Sequence, residues 1–206
     1  MVLRVTPIFT QGIYFARKID LPHKDILERV KNLKWNKVIP QTSSYDSRQL
    51  ITESNHILSI MPGGNSLKKI IEKHVAEAID NFGYDSKFKT ATSWANCIKP
   101  NNISEFHNHK NFWLSAVYYP HGAQEDNFSI IFKKHDHDYF DIRIKRNNSY
   151  NNNMCTVNVE QGDLVIFPSY TLHKIGYNST KNDRYSLAFN FLPSGLIGWK
   201  DGEIKF

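Results

Sequence analysis

With 206 residues, 24.0 kDa, 13% aromatic and 22% charged residues, the chain is large enough to bury a core, and its composition excludes disorder. A net charge of +6 and a pI of about 9.2 permit an anionic small molecule or a nucleic acid as partner. The lysines are spread with no dense basic tract, so the charge reads as a solvated surface and nucleic acid is not favoured. No run approaches the roughly 18 apolar residues of a spanning helix, and the opening M-V-L-R-V-T-P lacks a secretory apolar core and cleavage site. Cys97 and Cys155 are the only cysteines and have no metal-ribbon spacing; a reducing compartment is expected, with Cys97 a small buried hydrophobe. These features describe a cytoplasmic protein with no membrane partner, for which a homodimer stays open.

In chain order, residues 2–16 read as one or two strands. Residues 22–33 place apolar side chains at 26, 27, 30 and 33, the spacing of a helix with Pro22 in its first turn. Residues 35–54 are polar and read as loop with at most a short strand. From Ser66, apolar residues recur at 67, 70, 71, 75, 78, 79 and 82, which predicts a second helix capped by Asn65 or Ser66 and closed by Gly83. His74 lies off that stripe and reads as a surface histidine. Beyond Tyr84 the period changes. Residues 90–98, 112–119, 128–132, 139–145, 154–159, 163–167 and 184–191 read as strands separated by Pro, Gly, Asn and Asp clusters. The fold class is therefore mainly β with flanking α-helices, as a barrel or double-sheet jelly roll in one domain over 1–206.

Chemistry concentrates at His107 and His109. In an extended chain residues i and i+2 project to the same side, so both imidazoles can enter one cavity as ligands of one metal. An H-x-H pair alone is not specific. It is joined here by G-D-L-V-I-F-P-S-Y-T-L-H, ending at His173, and by R-Y-S at 184–186. Arg184, Ser186 and Asn190 stand at even spacing on one predicted strand and so share a face. The tract His135-Asp136-His137-Asp138 is dense in ligand types but reads as an exposed hairpin turn.

This set of motifs resembles the Fe(II)/2-oxoglutarate-dependent oxygenases. More narrowly, it is similar to an oxygenase subfamily of bacteria and marine phages with S-W-x-N, H-x-H, an L-S-x-V-Y-Y strand and G-D-L-x-x-F-P-S-x-x-x-H. These stand here as Ser93-Trp94-Ala95-Asn96, His107-Asn108-His109, Leu114 to Tyr119 and Gly162 to His173. The resemblance covers residues 90–191, and more weakly the opening at Pro7. It implies a double-stranded β-helix (jelly roll, cupin-like) core over 90–191, supported by residues 1–89. It implies iron(II) on His107, His109 and His173, with positions left for a bidentate 2-oxo acid and dioxygen. Arg184 would grip the far carboxylate of 2-oxoglutarate with its planar fork, and Ser186 would add a hydroxyl. Asn190, Asn96 and a phenol from Tyr118 or Tyr119 would surround the same co-substrate.

The implied reaction couples decarboxylation of 2-oxoglutarate to hydroxylation of a small-molecule or peptidyl substrate. By analogy with the prolyl-hydroxylase branch, a peptidyl residue such as proline is the first expectation. One position departs from the family pattern: His109 stands where most members have Asp or Glu. Three neutral imidazoles would leave the centre formally +2 rather than +1, and Glu105, two residues before His107, is the carboxylate alternative. Two other readings compete. One is a cupin-like three-histidine metalloenzyme without 2-oxoglutarate; the other is a non-catalytic jelly-roll binding module. Arg184 taken by itself also reads as a structural ion pair with Asp183 or Asp163.

Overall fold

The computed structural model describes residues 11–38, 49–122, 128–134, 143–148 and 150–206. The elements in chain order are β1 (Tyr14–Ala16), α1 (His23–Lys31), β2 (Trp35–Lys37), β3 (Gln49–Thr52), α2 (Ile57–Ile60) and α3 (Gly64–Asn81). There follow β4 (Lys87–Ile98), β5 (Leu114–Tyr118), β6 (Ser129–Lys133), β7 (Met154–Asn158), β8 (Leu164–Pro168), β9 (Leu172–Ile175) and β10 (Arg184–Ser194). A short terminal hairpin of β11 (Leu196–Ile197) and β12 (Ile204–Lys205) closes the chain.

Among the described residues, seven strands form a major sheet in the order β1-β8-β5-β10-β4-β3-β2, and three form a minor sheet, β7-β6-β9. The described pairings within both sheets are antiparallel. This is the double-stranded β-helix that the sequence predicts.

Two apolar cores follow from strand alternation. Leu114, Ala116 and Tyr118 of β5, Leu164 and Ile166 of β8 and Leu187, Phe189 and Phe191 of β10 face the helices, where Leu67, Ile71, Val75, Ala78 and Ile79 of α3 meet them. The opposite parity (Val117, Tyr119, Val165 and Phe167) joins Phe128, Ile130 and Phe132 from the minor-sheet side to fill the space between the sheets. Each such large side chain contributes about 1.5–3 kcal/mol by leaving water.

The helices match expectation on their apolar faces and differ at their starts. The long helix begins at Gly64, not after Asn65 or Ser66, and its N-cap is Gly63 at φ 74. The reason is tertiary. A Cβ on Gly64 would stand 2.1 Å from the Leu58 carbonyl oxygen, so α2 can approach α3 only over a glycine. Gly64→Ala is therefore expected to destabilise the protein by on the order of 3 kcal/mol, read as a lowered denaturant midpoint at unchanged m-value. Gly83, at φ 76, closes α3 as predicted.

Among the strands, the polar segment 35–54 holds β2 and β3, which pair with each other, although residues 39–48 lie outside the described residues. Of the expected strand at 139–145, residues 143–145 are irregular and 139–142 lie outside the described residues, as do 135–138 and Pro7. Strand β9 was not predicted, and it carries His173. No helix among the described residues is long and apolar enough to cross a membrane.

Candidate metal centre and co-substrate pocket

His107 and His173 face each other across a single antiparallel bridge. His107 N–H donates to the His173 carbonyl at 3.0 Å, and His173 N–H returns to the His107 carbonyl at 2.9 Å. His109, two residues on, donates its own N–H to the Ser169 carbonyl at 2.8 Å. The backbone thus brings three imidazoles to one place. Their ring centroids are 5.3 Å (107–109), 4.4 Å (107–173) and 5.1 Å (109–173) apart. One ring nitrogen from each lies within 4.8 Å of the others, and among the described residues no carboxylate belongs to this cluster. Glu105 does not join it; its carbonyl instead accepts from His107 Nδ1 at 2.9 Å.

The outer hydrogen bonds decide which nitrogens are free. His107 Nδ1 meets the Glu105 carbonyl, and His173 Nδ1 meets the Thr171 carbonyl at 2.9 Å. Carbonyls only accept, so both Nδ1 atoms carry the proton and both Nε2 lone pairs remain available. His109 Nδ1 lies 2.8 Å from Asn190 Oδ1 and 2.9 Å from Ser115 Oγ, which gives the same tautomer. Burial, and then the neighbouring His107, push His109 down to about 4 and His173 down to about 3. Neutral imidazoles with converging lone pairs are the donors that iron(II) takes, and three on one side fit a centre with further positions open. His173 is 4% exposed, packed against Phe167 with ring centroids 4.7 Å apart, and Trp94 stands edge-on to His109 at 5.3 Å. Exposed His107 leaves the cluster open on one side.

Arg184 opens β10 and is 1% exposed. Its Nη1 donates to the Gly176 carbonyl at 3.2 Å and its Nη2 to the Ser129 carbonyl at 2.6 Å. Its guanidinium lies 4.4 Å from the Phe128 ring centroid. Its Nε is buried and has no partner among the described residues. The acids that might have paired with it are committed elsewhere: Asp183 holds Lys99 at 2.6 Å and Asp163 holds Arg17 at 3.0 Å. Burial lowers its pKa to about 10, with Tyr119 opposing, so it stays charged at neutral pH. A buried cation that meets two carbonyl dipoles and one aromatic face among the described residues is half-satisfied, and a carboxylate is the group that would complete it.

Ser186 is buried on the same face, directly across from Asn96 of β4, whose Oδ1 accepts a long 3.4 Å bond from Gln49. Two expected co-substrate contacts are placed differently. Tyr118 turns to the helix-side core and its hydroxyl lies 2.5 Å from His23 Nδ1. Tyr119 is the member of the pair in the inter-sheet core, where it interacts with Arg184. Asn190 does point inward, but its amide is taken up by His109, Ser115 and Thr92. Sequence reasoning missed Ser115, Ser169 and Thr92, which other elements bring to Asn190 and which no spacing in the sequence signals.

Comparisons with known proteins agree with this geometry. Residues 92–190 match the family model described as "Putative 2OG-Fe(II) oxygenase". No curated protein matches the chain. Among solved structures, an oxidoreductase of the 2OG-Fe(II) oxygenase family from Burkholderia pseudomallei is 12% identical, with a TM-score of 0.64 over 88% of this chain and 85% of that one. HygX from Streptomyces hygroscopicus, with nickel, 2-oxoglutarate and hygromycin B bound, is 13% identical, with a TM-score of 0.60 over 93% and 86%. A prolyl hydroxylase from Trichoplax adhaerens, in complex with a hypoxia inducible factor peptide fragment, is 10% identical, with a TM-score of 0.63 over 89% and 84%. The match over residues 92–190 and the three convergent imidazoles on a double-stranded β-helix support an oxygenase enzyme that uses iron(II), 2-oxoglutarate and dioxygen.

Proposed function

We propose that the protein hydroxylates a peptidyl residue such as proline, with His107, His109 and His173 holding iron through Nε2 and Arg184 anchoring the far carboxylate of 2-oxoglutarate. The observation that carries this reading is the buried Arg184 guanidinium, which among the described residues has an unpartnered Nε and no acid beside it. A cupin-like three-histidine centre that does not use 2-oxoglutarate has no use for such a fork, so Arg184 favours the oxygenase over that alternative. When bound, iron with its co-substrates supplies the oxidising power for the substrate C–H bond. The chain's own residues bind and orient: Ser186 and Tyr119 offer hydroxyls near the carboxylate end, and Asn96 offers an amide across from Ser186. Phe132 and Phe167 shield His173 from water, and Trp94 covers one side of His109. The two free cysteines, Cys97 buried and Cys155 exposed, suit a reducing cytoplasm.

The peptidyl substrate draws support from the likeness to the prolyl hydroxylase, a warrant of analogy. A small-molecule substrate is the second reading, favoured by the HygX structure that holds hygromycin B. Conversion of 2-oxoglutarate to succinate, measured with proline-containing peptides and with aminoglycosides, separates them. A peptide product one oxygen heavier supports the first; stimulation by the small molecules alone overturns it. Tyr119→Phe is expected to raise KM for 2-oxoglutarate by about 3–10-fold, the size of one hydrogen bond. Tyr118→Phe, which loses only the bond to His23, is expected to leave that KM within about twofold and to lower Tm.

A further inference from the structure

His109 is the one imidazole of the three whose Nδ1 is held by side chains rather than by a backbone carbonyl. Its main partner, Asn190, is 3% exposed on β10, and every polar atom of its amide is engaged. Oδ1 accepts from His109 Nδ1 at 2.8 Å and from Ser115 Oγ at 2.7 Å, while Nδ2 donates to Thr92 Oγ1 at 3.1 Å. Ser115 Oγ lies a further 2.8 Å from Ser169 Oγ. Ser169 also takes the His109 backbone N–H on its carbonyl. The elements β4, β5 and β10 and the turn after β8 therefore converge on one ring. A turned-over Asn190 amide would present N–H groups to His109 Nδ1, forcing the proton onto Nε2 and closing off the lone pair that faces the other two histidines.

We propose that Asn190, backed by Thr92, Ser115 and Ser169, is the positioning residue that makes His109 a metal ligand. It locks the neutral Nδ1–H tautomer and aims Nε2 at His107 and His173. Because it does this with an amide and not a carboxylate, it leaves the ligand set uncharged. A carboxylate in the same place would draw the Nδ1 proton and make the imidazole a stronger donor. The amide is thus a setting of the metal's electron density, not only a prop. This inference rests on the assignment of His109 as a ligand.

The test is calorimetric titration of the apo protein with Mn(II), together with the visible band of the anaerobic Fe(II)–2-oxoglutarate complex. Asn190→Ala is expected to weaken Mn(II) binding by about 10–100-fold. Asn190→Asp, nearly the same shape, is expected to restore wild-type affinity or exceed it and to move the band to longer wavelength. A merely structural asparagine would show neither the rescue nor the shift. Should Asn190→Ala fail to fold, Ser115→Ala removes one member of the network, keeps the β5 backbone pairing and is expected to weaken Mn(II) in the same direction. Wild-type affinity in Asn190→Ala, or equal weakening in Ala and Asp, overturns the proposal while the metal centre stands. Failure of the wild-type chain to bind Mn(II) overturns the ligand assignment and the proposal with it.

Discussion

Arg184→Met is expected to raise the 2-oxoglutarate concentration needed for half-saturation by at least about a hundredfold while leaving Mn(II) affinity within a few-fold. A bidentate charge-assisted pair contributes on the order of 3 kcal/mol, and each 1.4 kcal/mol is a factor of ten. Methionine fills much of the arginine's volume against Phe128 and removes the fork. The stability outcome has the opposite sign from an ordinary core substitution. In the apo protein Arg184 is a buried cation with an unpartnered Nε, an arrangement that costs several kcal/mol in desolvation. Its replacement by an apolar group is therefore expected to leave the apo Tm unchanged or raised. Wild type, in contrast, gains about 2.7 kcal/mol of stability at a 2-oxoglutarate concentration of 100 Kd, and the variant gains at most about 0.4 kcal/mol at the same concentration. A thermal-shift series with and without 2-oxoglutarate reads both effects. Equal stabilisation of the two proteins would remove Arg184 from the co-substrate site.

His173→Ala is expected to reduce Mn(II) affinity by more than the ~10–100-fold that loss of an outer hydrogen-bond partner costs, and to abolish turnover. His173 is the most enclosed of the three, packed against Phe167 with Phe132 beyond it and its Nδ1 tied to Thr171. Its backbone makes the bridge to His107, which a side-chain change does not remove, so the sheets are expected to stay paired and the far-UV spectrum unchanged. Calorimetry with Mn(II) checks the first effect. Retention of wild-type affinity would mean that the cluster is not the metal site.

Much of this site was legible in the sequence because strand geometry is simple. The i, i+2 rule puts His107 and His109 in one cavity, and even spacing puts Arg184, Ser186 and Asn190 on one face of β10. The parts that escaped depend on tertiary facts. Tyr118 and Tyr119 could not be separated because β5 is buried on both faces, so its sequence shows no alternation from which to read parity. The strand that carries His173 was missed because L-H-K-I is four residues long and half polar, too short for a period to show; pairing with β6 and the bridge to His107 make it a strand. The even spacing that placed Asn190 inside the barrel said nothing of its partner. That depends on where the Ser169 carbonyl holds the loop carrying His109. Gly64 likewise takes its meaning from a carbonyl six residues earlier in the chain, folded back against it.

The central claim is that three histidines and one buried arginine form a single iron and 2-oxoglutarate site. Anaerobic titration of the apo protein with Fe(II) and then 2-oxoglutarate, followed in the visible for the metal-to-ligand charge-transfer band, tests it most directly. The expected result is a band that requires both additions, is absent from His173→Ala and is absent from Arg184→Met at concentrations that saturate wild type. Iron binding by the wild-type protein with no band on addition of 2-oxoglutarate would contradict the account and leave a three-histidine centre that works without the co-substrate.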